Sequence, residues 1–316
     1  MKILVTGAAG FIGTNLGERL LEEENEVVGI DNFITGSRKN AQRLSRHPSF
    51  TFLEADISKL DPVKLQNLKG HNFDEIYHLA CPTGVPNLGP LAEEMLLASS
   101  AGTKNILDVS KESKSRFLFT SSSEIYGDPE VFPQTEGYTG NVDPVGLRSP
   151  YEEGKRFAES LAAAYARKYD LDLKITRVFN TYGPFMSEKD LRVIPMFAKQ
   201  IEEGSPLSVH GDGQQKRTFC YINDLVDGLV LVLRKGKKGE VYNIGSDEEI
   251  NILDLAKLVA KISGSGIKIE FRDRPEHDHE ARLPDLSKIK SLGWSPKINL
   301  DEGLSLTLKS LESAKM

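Results

Sequence analysis

The chain has 316 residues, with 40 Lys and Arg against 46 Asp and Glu and a formal net charge of −6. This balance disfavours a general nucleic-acid binder, which meets a phosphate backbone with excess positive charge. The length allows one large or two moderate domains with a substantial core. Cys81 and Cys220 are the only cysteines. Set among apolar residues, both are expected to be reduced core thiols of a cytoplasmic protein. No apolar run reaches membrane-spanning length and the first predicted strand starts at residue 3, so neither a membrane span nor a signal peptide is expected.

The first predicted strand, Ile3–Val5, runs into glycines at Gly7, Gly10 and Gly13, and a helical pattern with Leu16, Leu20 and Leu21 follows. Strand, glycine turn and helix together form a pyrophosphate site. Bare backbone lets phosphates approach, and the helix N-terminus offers free N–H groups and partial positive charge. Gly7, Gly10, Phe11, Ile12 and Gly13 are the expected contacts there. The second strand, Glu26–Asp31, ends in an acid 18 positions after Gly13, the spacing at which a carboxylate meets an adenosine ribose. Asp31 therefore favours NAD over NADP, although Arg38 and Lys39 just beyond it can soften that preference.

Further strands are predicted at Phe50–Ile57, Glu75–Ala80, Arg116–Thr120 and Leu173–Val178, with long helices over Leu91–Lys111 and Pro150–Lys168 between them. Alternating strands and helices imply an α/β, doubly wound parallel sheet (Rossmann), whose ligands bind beyond the strand C-termini. That topology gathers Gly7–Gly13, Asp31–Asn32, Asp56–Ile57, Leu79–Pro82, Ser121–Glu124 and Asn180 on one edge. After Val178 come a loop, a helix over Arg192–Glu203, a polar segment through Arg217, a helix over Asn223–Leu233, a strand at Val241–Ile244 and a helix over Ile252–Ser263. Residues 1–178 are expected to bind the cofactor, with about 218–245 returning to that unit. Residues 179–316 form mainly a smaller substrate-binding lobe.

Tyr151 and Lys155 are four apart and share a helix face. A phenol, with a pKa of about 10, is a poor base at neutral pH, and an adjacent ammonium stabilises its anion. Such pairs are common on ordinary amphipathic helices; the glycine turn and the hydroxyl-rich strand end Ser121-Ser122-Ser123-Glu124 give this one chemical meaning. Hydroxyls there can bond a substrate hydroxyl as it becomes a ketone, and Glu124 can move a proton at the neighbouring carbon.

These residues resemble the extended short-chain dehydrogenase/reductases of the nucleotide-sugar epimerase/dehydratase family, and among them the UDP-glucuronate decarboxylases. The similar stretches are Val28–Phe33, His78–Pro82, Ser121–Val131, Tyr151–Arg156, Arg177–Pro184 and Arg282–Asp285. The resemblance implies NAD as cofactor and a UDP-sugar as substrate. Tyr151 with Lys155, Ser122, Ser123, Glu124 and Arg282 would carry the chemistry, and Asn180, Arg192 and Arg217 would hold the UDP. The chain departs from those decarboxylases at Thr83–Leu88 and with Leu97 and Ser99 where they carry lysine and asparagine. A UDP-uronate or UDP-hexose 4-epimerase, a 4,6-dehydratase and a non-catalytic dinucleotide sensor remain alternatives. His277-Asp278-His279-Glu280 invites a metal reading, but with no second ligand pair no metal is expected. An apolar stripe at Phe157, Leu161 and Ala164 predicts a homodimer through the helices near 91–111 and 150–168.

Overall fold

The computed structural model describes residues 1–187, 190–264, 266–273 and 282–313. In chain order it begins with β1 (Lys2–Thr6), α1 (Phe11–Glu22), β2 (Glu26–Asp31), α2 (Arg38–Leu44), β3 (Phe50–Glu54), α3 (Pro62–Lys69) and β4 (Glu75–His78). There follow α4 (Ala92–Leu97), α5 (Thr103–Ser113), β5 (Arg116–Ser122), α6 (Ser149–Tyr169), β6 (Leu173–Val178), β7 (Thr181–Tyr182) and α7 (Val193–Glu203). The remainder comprises β8 (Leu207–His210), β9 (Lys216–Thr218), β10 (Cys220–Tyr221), α8 (Ile222–Lys235), β11 (Val241–Ile244), β12 (Glu249–Asn251), α9 (Ile252–Ser263), β13 (Ile269–Arg272), α10 (Ser287–Lys290) and α11 (Leu300–Ser313).

Seven strands form one sheet in the order β11-β6-β5-β4-β1-β2-β3, and every neighbouring pair in it is parallel. Side chains alternate across it, as strand geometry requires. Ile3, Val5 and Leu118 enter the core on one face with Leu16, Leu20 and Leu229. Leu4, Phe117 and Phe119 enter the other with Ile106, Leu107, Ala158 and Ala162. Both faces are covered, which is the condition for a parallel sheet. The strand order reverses between β1 and β4, and that switch point opens a crevice at the C-terminal edge.

Three local departures from the sequence reading bear on the site. The third strand stops at Glu54, because Asp56 accepts the Ser58 N–H at 2.9 Å and turns the chain into a 3₁₀ segment. The predicted helix over 91–111 contains a π-helical stretch at Ala98–Gly102, between α4 and α5. There Gly102 lies against Ile57 and Ser99 faces Gly154 of α6; a β-carbon on Gly154 would sit 3.1 Å from the Ser99 hydroxyl. The third concerns Cys81: Cys220 is a buried thiol as expected, but Cys81 is only half-buried and lines the crevice.

The smaller lobe is built from α7, α9 and α11 with three two-stranded pairings, β8 with β13, β9 with β12 and β7 with β10. Helix α8 packs back on α1, β5 and β6, and β11 closes the sheet edge. Among the described residues no helix is long and apolar enough to cross a membrane.

Candidate active site

A cavity of about 990 Å³ runs along the C-terminal edge of the sheet. Its walls contain the glycine turn, Asp31, Asn32, Asp56, Ile57, Leu79, Ala80, Ser121–Glu124, Tyr151, Lys155, Asn180 and Arg192. The topology therefore gathers the strand ends that the alternating pattern placed together.

At one end the backbone is drawn tight. Gly7 has φ +71°, and a β-carbon there would lie 3.0 Å from the Ala80 nitrogen. A β-carbon on Gly13 would lie 2.0 Å from the Gly7 carbonyl oxygen. The turn thus folds onto the start of α1, leaving the helix N-terminus facing the cavity, where a pyrophosphate fits. Asp31 accepts the Ala9 N–H at 3.0 Å and the Phe33 N–H at 2.8 Å. Burial pushes its carboxyl pKa up, while these amide bonds oppose the shift. The Arg38 guanidinium beyond it stacks on Phe33, 4.2 Å from the ring centroid, and pairs with Glu54 at 2.8 Å. It is therefore engaged elsewhere than at Asp31.

Lys155 is buried, donates to the Thr120 carbonyl at 2.8 Å and lies 4.9 Å from the Phe119 ring centroid. Burial lowers its pKa. Tyr151 hydrogen-bonds the Ser122 side chain; burial raises the phenol pKa, and that bond opposes the rise. The hydroxyls of Thr120 and Ser121 are buried at the same strand end with no hydrogen-bond partner among the described residues. His78 is fully enclosed behind this wall, between Thr6 at 2.8 Å and Thr103 at 3.0 Å. Burial, then the nearby Lys155 charge, depress its pKa to about 3. It is a neutral structural imidazole.

Glu124 is gripped from two sides. Arg282 reaches its Oε1 at 2.8 Å and also donates to the Gly127 carbonyl at 3.2 Å. Arg148 pairs with Oε2 and, through Nε, with Glu152 at 3.0 Å. The Ser122 hydroxyl accepts the Glu124 N–H at 3.3 Å, and Ser123 accepts from Arg282 at 3.4 Å. Arg282 arrives because Gln134 clamps its neighbour: the Gln134 side chain accepts the Leu283 N–H at 2.8 Å, and its carbonyl accepts the Asp285 N–H at 2.8 Å.

Of the three residues assigned to the nucleotide sugar, Asn180 and Arg192 line the cavity. Arg192 is chelated by Asp190, with Nε 3.0 Å from both carboxylate oxygens. Arg217 stands on the β9–β12 pair and is not among the lining residues. The His277–Glu280 segment lies outside the described residues; among those described, no cluster of three His, Cys, Asp or Glu side chains is placed to hold a metal. Leu97, singled out in the sequence as a departure, lines the cavity; sequence reading missed Arg148 and the neighbours of Leu97 on that wall, Glu94 and Ala98. The place of Arg148, three residues before Tyr151 at the helix start, was the available signal.

A parallel sheet with a glycine-turn nucleotide site and a Tyr–Lys pair at its C-terminal edge defines a dinucleotide-dependent enzyme acting on a sugar-sized substrate. The profile of the NAD dependent epimerase/dehydratase family matches residues 3–245. The chain belongs to that family, and NAD is its cofactor. It is 41% identical to UDP-glucuronic acid decarboxylase 4 of Arabidopsis thaliana over 310 residues, 98% of this chain and 68% of that protein. Among solved structures it is similar to UDP-glucuronic acid 4-epimerase from Bacillus cereus in complex with UDP-glucuronic acid and NAD. The TM-score there is 0.87 at 33% identity, covering 99% of this chain and all of the other. The UDP-glucose 4-epimerase of Thermotoga maritima superposes with TM-score 0.90 at 28% identity, over the full length of both chains.

Proposed function

We propose that the protein is a UDP-glucuronate decarboxylase that forms UDP-xylose through a 4-keto sugar. The observation that carries this reading is the Arg282–Glu124 pair standing on the strand end that bears Ser122, beside Tyr151. The identity to plant decarboxylases over nearly the whole chain supports it.

NAD supplies the temporary store for the C4 hydride, taken at the start and returned at the end. Tyr151 receives the C4 hydroxyl proton, and Lys155 stabilises the phenolate electrostatically. Ser122 holds the C4 oxygen. Once C4 is a ketone, the C5 carboxylate is that of a β-keto acid. The C5–carboxyl bond breaks, carbon dioxide leaves, and the electron pair moves onto the enolate of the C4 ketone. A proton from solvent reaches C5 by way of Glu124 or a water that it holds, and Tyr151 returns its proton to the C4 oxygen. Gly7, Gly10, Gly13 and Asp31 hold the cofactor; Asn180 and Arg192 face the nucleotide, residues 179–316 supplying most of that lobe. A homodimer through α4–α5 and α6 is the assembly we favour, since Phe157 and Leu96 are 52% and 44% exposed on those helices.

The second reading is a UDP-uronate 4-epimerase. It draws support from the cavity wall of Glu94 and Leu97, which offers no cation to a carboxylate, and from the likeness to the Bacillus cereus enzyme. Mass spectrometry of products from UDP-glucuronate, UDP-galacturonate and UDP-glucose with NAD separates the two. The decarboxylase releases carbon dioxide and UDP-pentose from UDP-glucuronate; conversion to UDP-galacturonate with no mass change would overturn it.

A further inference from the structure

We propose that Arg148 recognises the carboxylate of a uronic-acid sugar and so sets the specificity of the site for acidic over neutral UDP-sugars. The inference rests on the reading of the protein as an enzyme of UDP-uronates, and it assigns the residue that makes it one.

Elimination supplies the first argument. Among the described residues, the cations lining the cavity are Arg38, Lys39, Lys59, Arg148, Lys155 and Arg192. Arg38, Lys39 and Lys59 stand at the cofactor end, near Asp31 and Asp56, and Arg38 and Lys59 are paired with Glu54 and Asp56. Lys155 is turned to the Thr120 carbonyl beneath Tyr151. Arg192 is chelated by Asp190. The opposite wall, the α4 face with Glu94, Leu97 and Ala98 at helical spacing, carries a negative charge and no positive one. Among the described residues, Arg148 is the lining cation beside the Ser122–Glu124 strand end, where the C4 and C5 atoms of a sugar held by Tyr151 must lie.

The second argument is the division of labour between two arginines. Arg282 has a side chain only 6% exposed, is not among the lining residues, and spends its fork on both Glu124 oxygens, Ser123 and the Gly127 carbonyl. It fixes Glu124. Arg148 is 25% exposed and faces the cavity. Its Nε is committed to Glu152 and its Nη2 to Glu124, while its Nη1 makes no hydrogen bond among the described residues. An incoming carboxylate can take Nη1 at once. It can also take Nη2 without stranding any charge, because Glu124 keeps Arg282 and Arg148 keeps Glu152. Guanidinium forks match carboxylates in this way. Anchoring through Glu152 and the head of α6, where the Arg148 carbonyl accepts the Tyr151 N–H at 3.1 Å, ties the carboxylate reader to the catalytic phenol.

The test is binding, free of turnover. In a Tyr151→Phe background with NAD bound, calorimetry compares UDP-glucuronate with UDP-glucose, with and without Arg148→Met. The background protein is expected to prefer UDP-glucuronate. Arg148→Met is expected to reduce that preference about tenfold to a hundredfold, the weight of a charged hydrogen bond or two, and to leave UDP-glucose affinity within about threefold. Should Arg148→Met fail to bind NAD, Arg148→Lys replaces it; one bond in place of a fork is expected to lower the preference about tenfold. An unchanged preference in the variant, or no preference in the background protein, overturns the proposal. The reaction assignment fails separately: it falls if the wild type leaves UDP-glucuronate undecarboxylated, whereas loss of preference in Arg148→Met would still uphold Arg148 as the carboxylate reader.

Discussion

Adding one methyl group to the glycine turn tests how the cofactor site is built. In Gly13→Ala the new β-carbon would fall 2.0 Å from the Gly7 carbonyl oxygen and 2.8 Å from both the Ala8 α-carbon and the Gly7 carbonyl carbon. A carbon–oxygen contact needs roughly 3.3 Å, so backbone must move by more than about 1 Å. No flexible side chain is available to give way. Overpacking of this kind costs about 3 kcal/mol at the upper end, which lowers Tm by on the order of 5 °C in a chain of this size. The same displacement carries the α1 N-terminus off the pyrophosphate. Loss of one or two charge-assisted bonds, about 1.5–3 kcal/mol each, weakens NAD by roughly tenfold to more than a thousandfold. Gly10→Ala is the control. Its β-carbon meets only the Gly7 oxygen, at 3.2 Å, and Gly10 lines the cavity. This variant is expected to keep its Tm within about 1 °C, because little must shift, while losing NAD affinity to the methyl group in the ligand's path. Thermal unfolding without ligand and NAD calorimetry read the two effects. Gly13→Ala with unchanged Tm and NAD affinity, or Gly10→Ala as destabilised as Gly13→Ala, would refute the division into a packing glycine and a ligand-approach glycine.

Tyr151→Phe removes the proton carrier but keeps the ring, so turnover is expected to fall by roughly a hundredfold or more while UDP-sugar binding persists in calorimetry; near-normal turnover would displace Tyr151 from its role. Glu124→Gln or Arg282→Gln is expected to slow decarboxylation or C5 reprotonation more than C4 oxidation, so stopped-flow absorbance should show transient bound NADH that the wild type does not accumulate. His78 has its pKa depressed from 6.5 to about 3 by burial. The unfolded chain therefore binds a proton that the folded one refuses between those values, and stability is present above about pH 6.5 and declines as pH falls, by up to roughly 1.4 kcal/mol per pH unit. Denaturant titrations of His78→Asn between pH 7 and 4.5 should show a slope shallower by about one proton, and an unchanged slope would assign the acid sensitivity elsewhere. Phe157→Glu should yield a monomer by light scattering if α6 forms the dimer face; an unchanged mass, whether monomeric or dimeric in both proteins, would exclude that face.

The sequence by itself determined the sheet and its ligand edge. Apolar strands such as Ile3–Val5 and Phe117–Phe119, separated by helices, leave a parallel sheet as the arrangement that buries both faces. Right-handed crossovers then bring the strand ends together. Gly7–Gly13 with Asp31, and Tyr151 with Lys155, were legible because their chemistry depends on local spacing along one turn or one helix face. Long-range placement was not legible. Arg282 lies 158 positions from Glu124 and meets it because Gln134 pins the segment beginning at Leu283. Arg217 reads as readily as Arg192 as a phosphate ligand; Arg192 lines the cavity, whereas Arg217 stands on the β9–β12 pair, a difference that no local spacing announces. Cys81 reads as a core thiol among apolar neighbours, but the chain leaving β4 turns into the crevice and takes the thiol to its wall. Local spacing encodes helix faces and turns. Which charge stands opposite which across the cavity was decided only by tertiary structure, because packing of distant segments sets those distances.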